Sequence, residues 1–173
     1  MKNVWVCSGV VIVIAAGIAF AALHSSKTQS PVSSPMATPV QYTGWKTMTD
    51  SAQHISFQYP PTLQTTYIHT VDWPPKIQIL NNPLTCTQAQ QRTIDGHTYC
   101  VTVISEGAAG SIYNQYAYAF SQDTKTVILT FTLQLVQCAN YDQPQQQACQ
   151  TERSQFNSDT IADQIAQTVG VTQ

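Results

Sequence analysis

From Val4 to Leu23 the chain reads VWVCSGVVIVIAAGIAFAAL, twenty residues without a charge. A helix rises about 1.5 Å per residue, so this run reaches ~30 Å, the thickness of a bilayer hydrocarbon core. Lys2 and the terminal amine precede it, which favours a cytoplasmic N-terminus. Lys27 on the far side weakens that bias without reversing it. The expectation is an N-terminal transmembrane anchor over 1–23, with the rest of the chain outside the cytoplasm. A cleaved signal peptide is the alternative, since Ala19-Phe20-Ala21 fits a small-x-small cleavage pattern. Both readings export the remainder. A lipoprotein would carry its cysteine after the apolar run, whereas Cys7 lies near its start. A type IV pilin would show Gly-Phe-x-x-x-Glu ahead of it.

Residues 24–41 read HSSKTQSPVSSPMATPVQ, with Pro31, Pro35 and Pro39 spaced four apart. Such a segment buries too little apolar surface to offset its ordering entropy. Its prolines stiffen it towards polyproline II, so it reads as a linker able to hold a domain up to ~50 Å from the membrane. From residue 42 aromatic and β-branched residues recur at regular spacing, leaving about 130 residues, the usual size of one domain. Only 9% of the chain is Asp, Glu, Lys or Arg, with a net charge of −2. No basic cluster offers a nucleic-acid surface and no acidic run suggests calcium. The partners this leaves are the membrane, through the N-terminal helix, and an envelope protein or glycan. No cofactor is implied.

Cys86, Cys100, Cys138 and Cys149 fall in the exported part. Four cysteines allow three connectivities. Sequence-local pairing, Cys86–Cys100 and Cys138–Cys149, is favoured because each pair brackets a loop rich in turn residues. A zinc site would want C-x-x-C pairs or nearby histidines, and neither is present.

Strand patterns dominate the domain. Ile55, Phe57 and Tyr59 alternate with polar residues and stop at Pro60-Pro61. A weaker pattern covers Tyr67–Val71, and Lys76–Leu80 alternates again. Asp95-Gly96 between Arg92–Ile94 and His97–Ile104 marks a hairpin, since a type I′ turn needs φ > 0 at both central positions. Ile112–Phe120 and Thr126–Gln137 form a second pair. Val127, Leu129, Phe131, Leu133 and Leu135 share one face there and define the expected core. Asn157 or Ser158 can cap a closing helix in which Ile161, Ile165 and Val169 recur at i, i+4 and i+8, with Gly170 as its stop. The predicted fold is α+β: a twisted antiparallel β-sheet of five to seven strands with a C-terminal helix packed across it, preceded by the transmembrane helix.

The phrase Ile55-Ser-Phe-Gln-Tyr-Pro60 resembles the F-x-Y-P entry strand of secreted bacterial domains of the PsbP-like α/β/α sandwich type. Gly96-x-x-Tyr99-Cys100, Glu106-Gly-Ala-Ala-Gly-Ser111 with Tyr116, and Cys138-Ala-Asn-Tyr141 resemble an uncharacterised family of membrane-anchored extracytoplasmic bacterial proteins. The likeness runs from about Ile55 to Thr168. It implies the sandwich fold and a place in the cell envelope, and carries over no functional residue.

Candidate chemistry is sparse. Glu106, Gly107 and Gly110 lie in the one Gly-rich segment, where small residues let backbone N–H groups face a ligand and Glu106 could serve as a base. No Lys follows and no helix begins there, so the phosphate-loop pattern is incomplete. His54, His69 and His97 are scattered, although His97 and Glu106 could meet across a hairpin. Neither G-x-S-x-G nor H-E-x-x-H occurs. Tyr116, Tyr118 and Phe120 share a strand face opposite Tyr113, as cross-strand packing or as an aromatic platform for sugar or peptide. Trp73-Pro74-Pro75 either adds to such a platform or tucks onto the sheet edge. The reading is a non-enzymatic binding module with Glu106, Gly107, Gly110 and Tyr116 as candidate binding residues. An envelope hydrolase with Glu106 in its site is the alternative.

Overall fold

A computed structural model describes residues 41–171. The expected anchor, and all but the last residue of the expected linker, lie outside the described residues. The elements are β1 (Lys46–Asp50), β2 (Ile55–Tyr59), β3 (Ile68–Leu80), β4 (Gln90–Ile94), β5 (His97–Ala108), β6 (Ser111–Gln122), β7 (Lys125–Val136), α1 (Gln145–Gln155), α2 (Ser158–Gln167) and β8 (Gly170–Val171).

The strands form two antiparallel sheets where one was expected: β1-β2-β8, and the larger β3-β7-β6-β5-β4. The division falls at Pro60-Pro61, which have no N–H to carry the β2 ladder onward. Both predicted hairpins are present. The β4–β5 turn has φ values of 47° at Asp95 and 87° at Gly96, and the β6–β7 turn places Asp123 at 54°. The two separate patterns, Tyr67–Val71 and Lys76–Leu80, prove to be one strand, β3, interrupted by a bulge. Its register on β7 jumps from Asp72↔Thr132 to Lys76↔Thr130, so three residues stand opposite Phe131. Pro74 and Pro75 cannot donate to the ladder, which forces the chain out of register there. Trp73 turns inward from the bulge. Its indole N–H donates to the Pro60 carbonyl at 2.9 Å, and its ring meets Tyr59 and Phe131 edge-on. It is tucked in at the junction of the two sheets.

The predicted core stripe is present over four of its five residues, with Leu135 only half-buried at its end. Val127, Leu129, Phe131 and Leu133 are all at most 2% exposed, and Tyr118, Tyr99, Val101 and Ile68 join them from neighbouring strands. Directly paired residues share a face, so Val101, Tyr118 and Leu129 stand in one row. The α2 helix covers this face. Asn157 caps it, accepting from the N–H groups of Asp159 and Thr160. Its buried stripe is Ala162, Ile165 and Ala166, continued by Val169, so Ile161 lies at the margin. The helix stops two residues before the expected glycine: Thr168 is the C-cap, and Gly170 instead opens β8 against Ser56. Buried Thr168 secures this return, accepting from Gln58 N–H at 2.8 Å and donating to the Ile165 carbonyl at 2.7 Å.

The stretch expected to be a loop between Cys138 and Cys149 contains a 3₁₀ turn (Cys138–Asn140) and the first turn of α1. The α1 sequence QQQACQTERSQ buries only Cys149, so no amphipathic period announces it. Its Gln, Glu, Ala and Arg residues are good helix formers, and Pro144 fits a helix start, where the missing N–H costs nothing. Tertiary ties hold it. The Cys138–Cys149 disulfide, with Cα atoms 5.5 Å apart, joins it to the 3₁₀ turn. Glu152 accepts from the Tyr67 N–H at 2.7 Å and from the Thr65 hydroxyl. Cys86–Cys100, with Cα atoms 5.4 Å apart, pins the β3–β4 connection to β5, so both predicted pairings are present.

Candidate functional site

The arrangement most able to receive a ligand is a cleft of about 610 Å³ between α1 and the helix-bearing face of the larger sheet. Its floor is Ile68 on β3, Tyr116 on β6 and Leu135 on β7. Gln137, Cys138 and Ala139 close one end. Gln150, Arg153 and Ser154 on α1 form a wall, and Phe156 and Ser158 complete it where the chain passes into α2. Volumes of 300–1,000 Å³ are usual for ligand pockets, as is an apolar body with a few convergent polar groups. The floor is preorganised. Tyr116 stacks on Phe131 (centroids 5.3 Å, planes 21° apart) and beside Tyr118 (6.2 Å, 13°), while its hydroxyl accepts from Asn114 at 3.2 Å.

The polar side chains of the cleft are largely uncommitted. Arg153 donates only to the Val136 carbonyl, at 3.4 Å, and no carboxylate among the described residues pairs with it. The side chains of Gln137 and Gln150 form no hydrogen bond among the described residues. Ser158 donates to the Tyr118 hydroxyl at 3.2 Å, and that hydroxyl donates to Asp159 at 2.7 Å. Burial, reinforced by the Asp159 carboxylate, holds the Tyr118 phenol protonated far above its ordinary range. Asp159 also receives both bonds of Arg92 Nη1, at 3.0 and 3.2 Å.

A second concavity, about 510 Å³, lies between β1–β2 and the β3 bulge, lined by Met48, Phe57, Trp73 and Pro74 with Asp50, Gln53 and Lys76. Two of its polar side chains are already used, while Lys76 and Asp72 make only an exposed ion pair at 4.0 Å. Asp50 accepts from Ala52, Gln53 N–H and the Gln53 amide, and Gln53 accepts from Ile79 N–H. The Trp73 indole N–H is taken by Pro60. This hollow is a structural joint rather than a platform.

The remaining sequence candidates do not converge. Glu106 and Gly107 lie within β5 rather than in a loop, because the turn is made by Ala109 and Gly110 alone, at φ 47° and 73°. Glu106 is exposed, pairs with Tyr113 across the ladder and faces no polar partner among the described residues. It lies nine residues from His97, about 30 Å along the strand, and on the opposite face. The pair expected to meet is therefore held apart. Gly110 has a packing role: its carbonyl accepts from the Asn140 amide at 3.0 Å, and a Cβ there would sit 2.8 Å from that nitrogen. Of the four candidates, only Tyr116 lines the cleft.

His97 instead meets Asp163 of α2, at 2.9 Å, a carboxylate with no exposure at all. Tyr99 donates to the same oxygen at 2.6 Å, and Gln167 donates to the other. Burial, then the bond to Asp163, holds the Tyr99 phenol protonated. The cluster has no nucleophile and lines neither concavity, so it is a clasp between α2 and the β4–β5 hairpin. Among the described residues no three His, Cys, Asp or Glu side chains are placed to hold a metal ion.

No protein-family model matches the chain, and no curated protein matches it. Solved structures with a similar course of chain include a crystal structure from Bacteroides thetaiotaomicron, at 10% identity and a TM-score of 0.43, covering 75% of this chain and 49% of that one. The chain thus spans about half the length of that protein. Another is the solution structure of cyanobacterial PsbP (CyanoP) from Synechocystis sp. PCC 6803, at 14% identity and a TM-score of 0.34, covering 82% of this chain and 99% of that one. A distant PsbP-like likeness is therefore found at the level of the whole chain, and it carries no argument about ligand or activity.

Proposed function

We propose that this chain is a membrane-tethered binding module of the cell envelope, whose recognition site is the cleft between α1 and the larger sheet. The observation that carries this reading is the coincidence of an aromatic and aliphatic floor, Tyr116 and Leu135, with polar wall groups: Gln137 and Gln150, which make no side-chain hydrogen bond among the described residues, and Arg153, whose one bond is to the Val136 carbonyl. Gln150 is exposed and Gln137 and Arg153 are half-buried, so water satisfies them in the free protein and a ligand would take its place. The tether rests on the apolar run Val4–Leu23, and the oxidised compartment on the two disulfides. No helix among the described residues is long and apolar enough to cross a membrane. The hydrolase alternative has no support in the placement of Glu106, exposed and remote from His97.

Two measurements test this. A small-fragment screen by NMR on the full-length chain should place its hits on Tyr116, Arg153 and Phe156; hits scattered over the surface with none in the cleft would contradict the assignment. Membranes from expressing cells should retain the protein through alkaline carbonate washing, with residues 42–173 accessible to protease from the outer side. Release by carbonate would remove the tether.

A further inference from the structure

The cleft also carries information about what it recognises, and this inference rests on the binding-site reading above. We infer that its ligand is the C-terminal end of a peptide, with the free carboxylate on Arg153 and an apolar last side chain on the Tyr116–Leu135 floor.

Among the described residues Arg153 is the only charged one lining the cleft. The neighbouring acids are occupied elsewhere: Glu152 by Thr65 and Tyr67, Asp159 by Arg92 and Tyr118. Neither acid pairs with Arg153, and the described lining holds one cation without a carboxylate partner and no acid. A guanidinium presents a planar fork of donors that matches a carboxylate bidentately, and such charge-assisted bonds are the strong ones. Its single contact, 3.4 Å from Nη1 to the Val136 carbonyl, orients the group and leaves its other N–H donors free.

The rest of the lining selects peptide over other carboxylates. Gln137 and Gln150 each present both a donor and an acceptor, the complement of a peptide N–H and C=O. A fatty acid offers nothing to those amides. The floor accepts one apolar side chain beside the carboxylate.

The test uses the full-length chain, disulfides intact and isotope-labelled, titrated with acetyl-Ala-Ala-Leu as free acid, the same peptide as C-terminal amide, and octanoate. The acid should shift the Arg153 Nε–H and Tyr116 ring signals and bind about tenfold or more tighter than the amide, the difference expected of one charge-assisted hydrogen-bond pair. Arg153→Gln should reduce the acid to the affinity of the amide while leaving the spectrum otherwise native. The wild-type acid–amide comparison stands even if that variant misfolds. Equal binding of acid and amide in the cleft overturns the carboxylate inference and leaves the cleft reading standing. Octanoate binding as tightly as the peptide acid overturns the assignment to a peptide. No shift of cleft signals with any probe overturns both readings.

Discussion

Replacing Asp163 by Ala should be among the most damaging single changes in the domain. The carboxylate is completely buried and accepts from Tyr99, Gln167 and His97. The losses are unequal. His97 is 54% exposed and recovers water as its partner. The Tyr99 hydroxyl belongs to a residue 2% exposed and cannot, so it is left unsatisfied at a cost of about 1–3 kcal/mol. Adding the lost charge-assisted bonds and the small cavity gives about 3–5 kcal/mol, the range seen when one partner of a buried polar pair is removed. With a urea m-value of about 2 kcal/mol/M, the unfolding midpoint should fall by roughly 2 M. Tyr99→Phe alone should cost about 1.5–3 kcal/mol, since it removes one hydrogen bond to a charged acceptor. In the Asp163→Ala background the same change should cost little or help, because it deletes the orphaned hydroxyl. Equilibrium urea unfolding of the four proteins, disulfides intact, closes this double-mutant cycle. A coupling below about 0.5 kcal/mol would refute the idea that Asp163 clasps α2 to the β4–β5 hairpin through Tyr99.

Raising the pH should destabilise the fold only above about 10: Tyr99 and Tyr118 stay protonated when folded, the unfolded chain loses those protons from pH ~10 upward, and stability should then fall by up to about 1.4 kcal/mol per pH unit for each tyrosine. Ultraviolet titration of the phenolates should show two tyrosines ionising only with unfolding; two early, reversible ionisations would contradict their burial. Removing Cys138–Cys149 as the double Ala variant should cost about 3 kcal/mol, for a loop closed over 11 residues, and should loosen α1 first, as hydrogen exchange at Gln145–Gln155 would show. Gly110→Ala should destabilise by about 1–2 kcal/mol through its φ of +73° and its collision with Asn140, and Asn140→Ala should recover the steric part in thermal unfolding.

What could be read from the sequence was what has a period or a chemical rule behind it. The β7 stripe, the Asp95-Gly96 turn, the Asn157 cap and the two local disulfides all follow from spacing or from φ preferences. The α1 helix did not, because its eleven residues bury one side chain and are held by Cys149 and Glu152 rather than by an apolar face. β1 and β8 escaped for similar reasons: KTMTD is short and polar, and Gly170–Val171 is strand only because Ser56 and Ile55 lie beside it. The cleft was legible at one point, Tyr116, whose neighbours on β6 announce an aromatic face. Ile68, Leu135 and Arg153 stand far from it in sequence and meet it through topology alone. Asp163 gave no sign either, since a carboxylate in a buried stripe reads as a solvent-facing position until its three donors are seen.

The central claim is that the Tyr116–Arg153 cleft receives a ligand, and the direct measurement is of where that ligand sits. Intermolecular NOEs between bound acetyl-Ala-Ala-Leu and the full-length chain should connect the probe's leucine methyl groups to the rings of Tyr116 and Phe156. NOEs confined to residues outside the cleft, or none at saturating probe, would contradict the account.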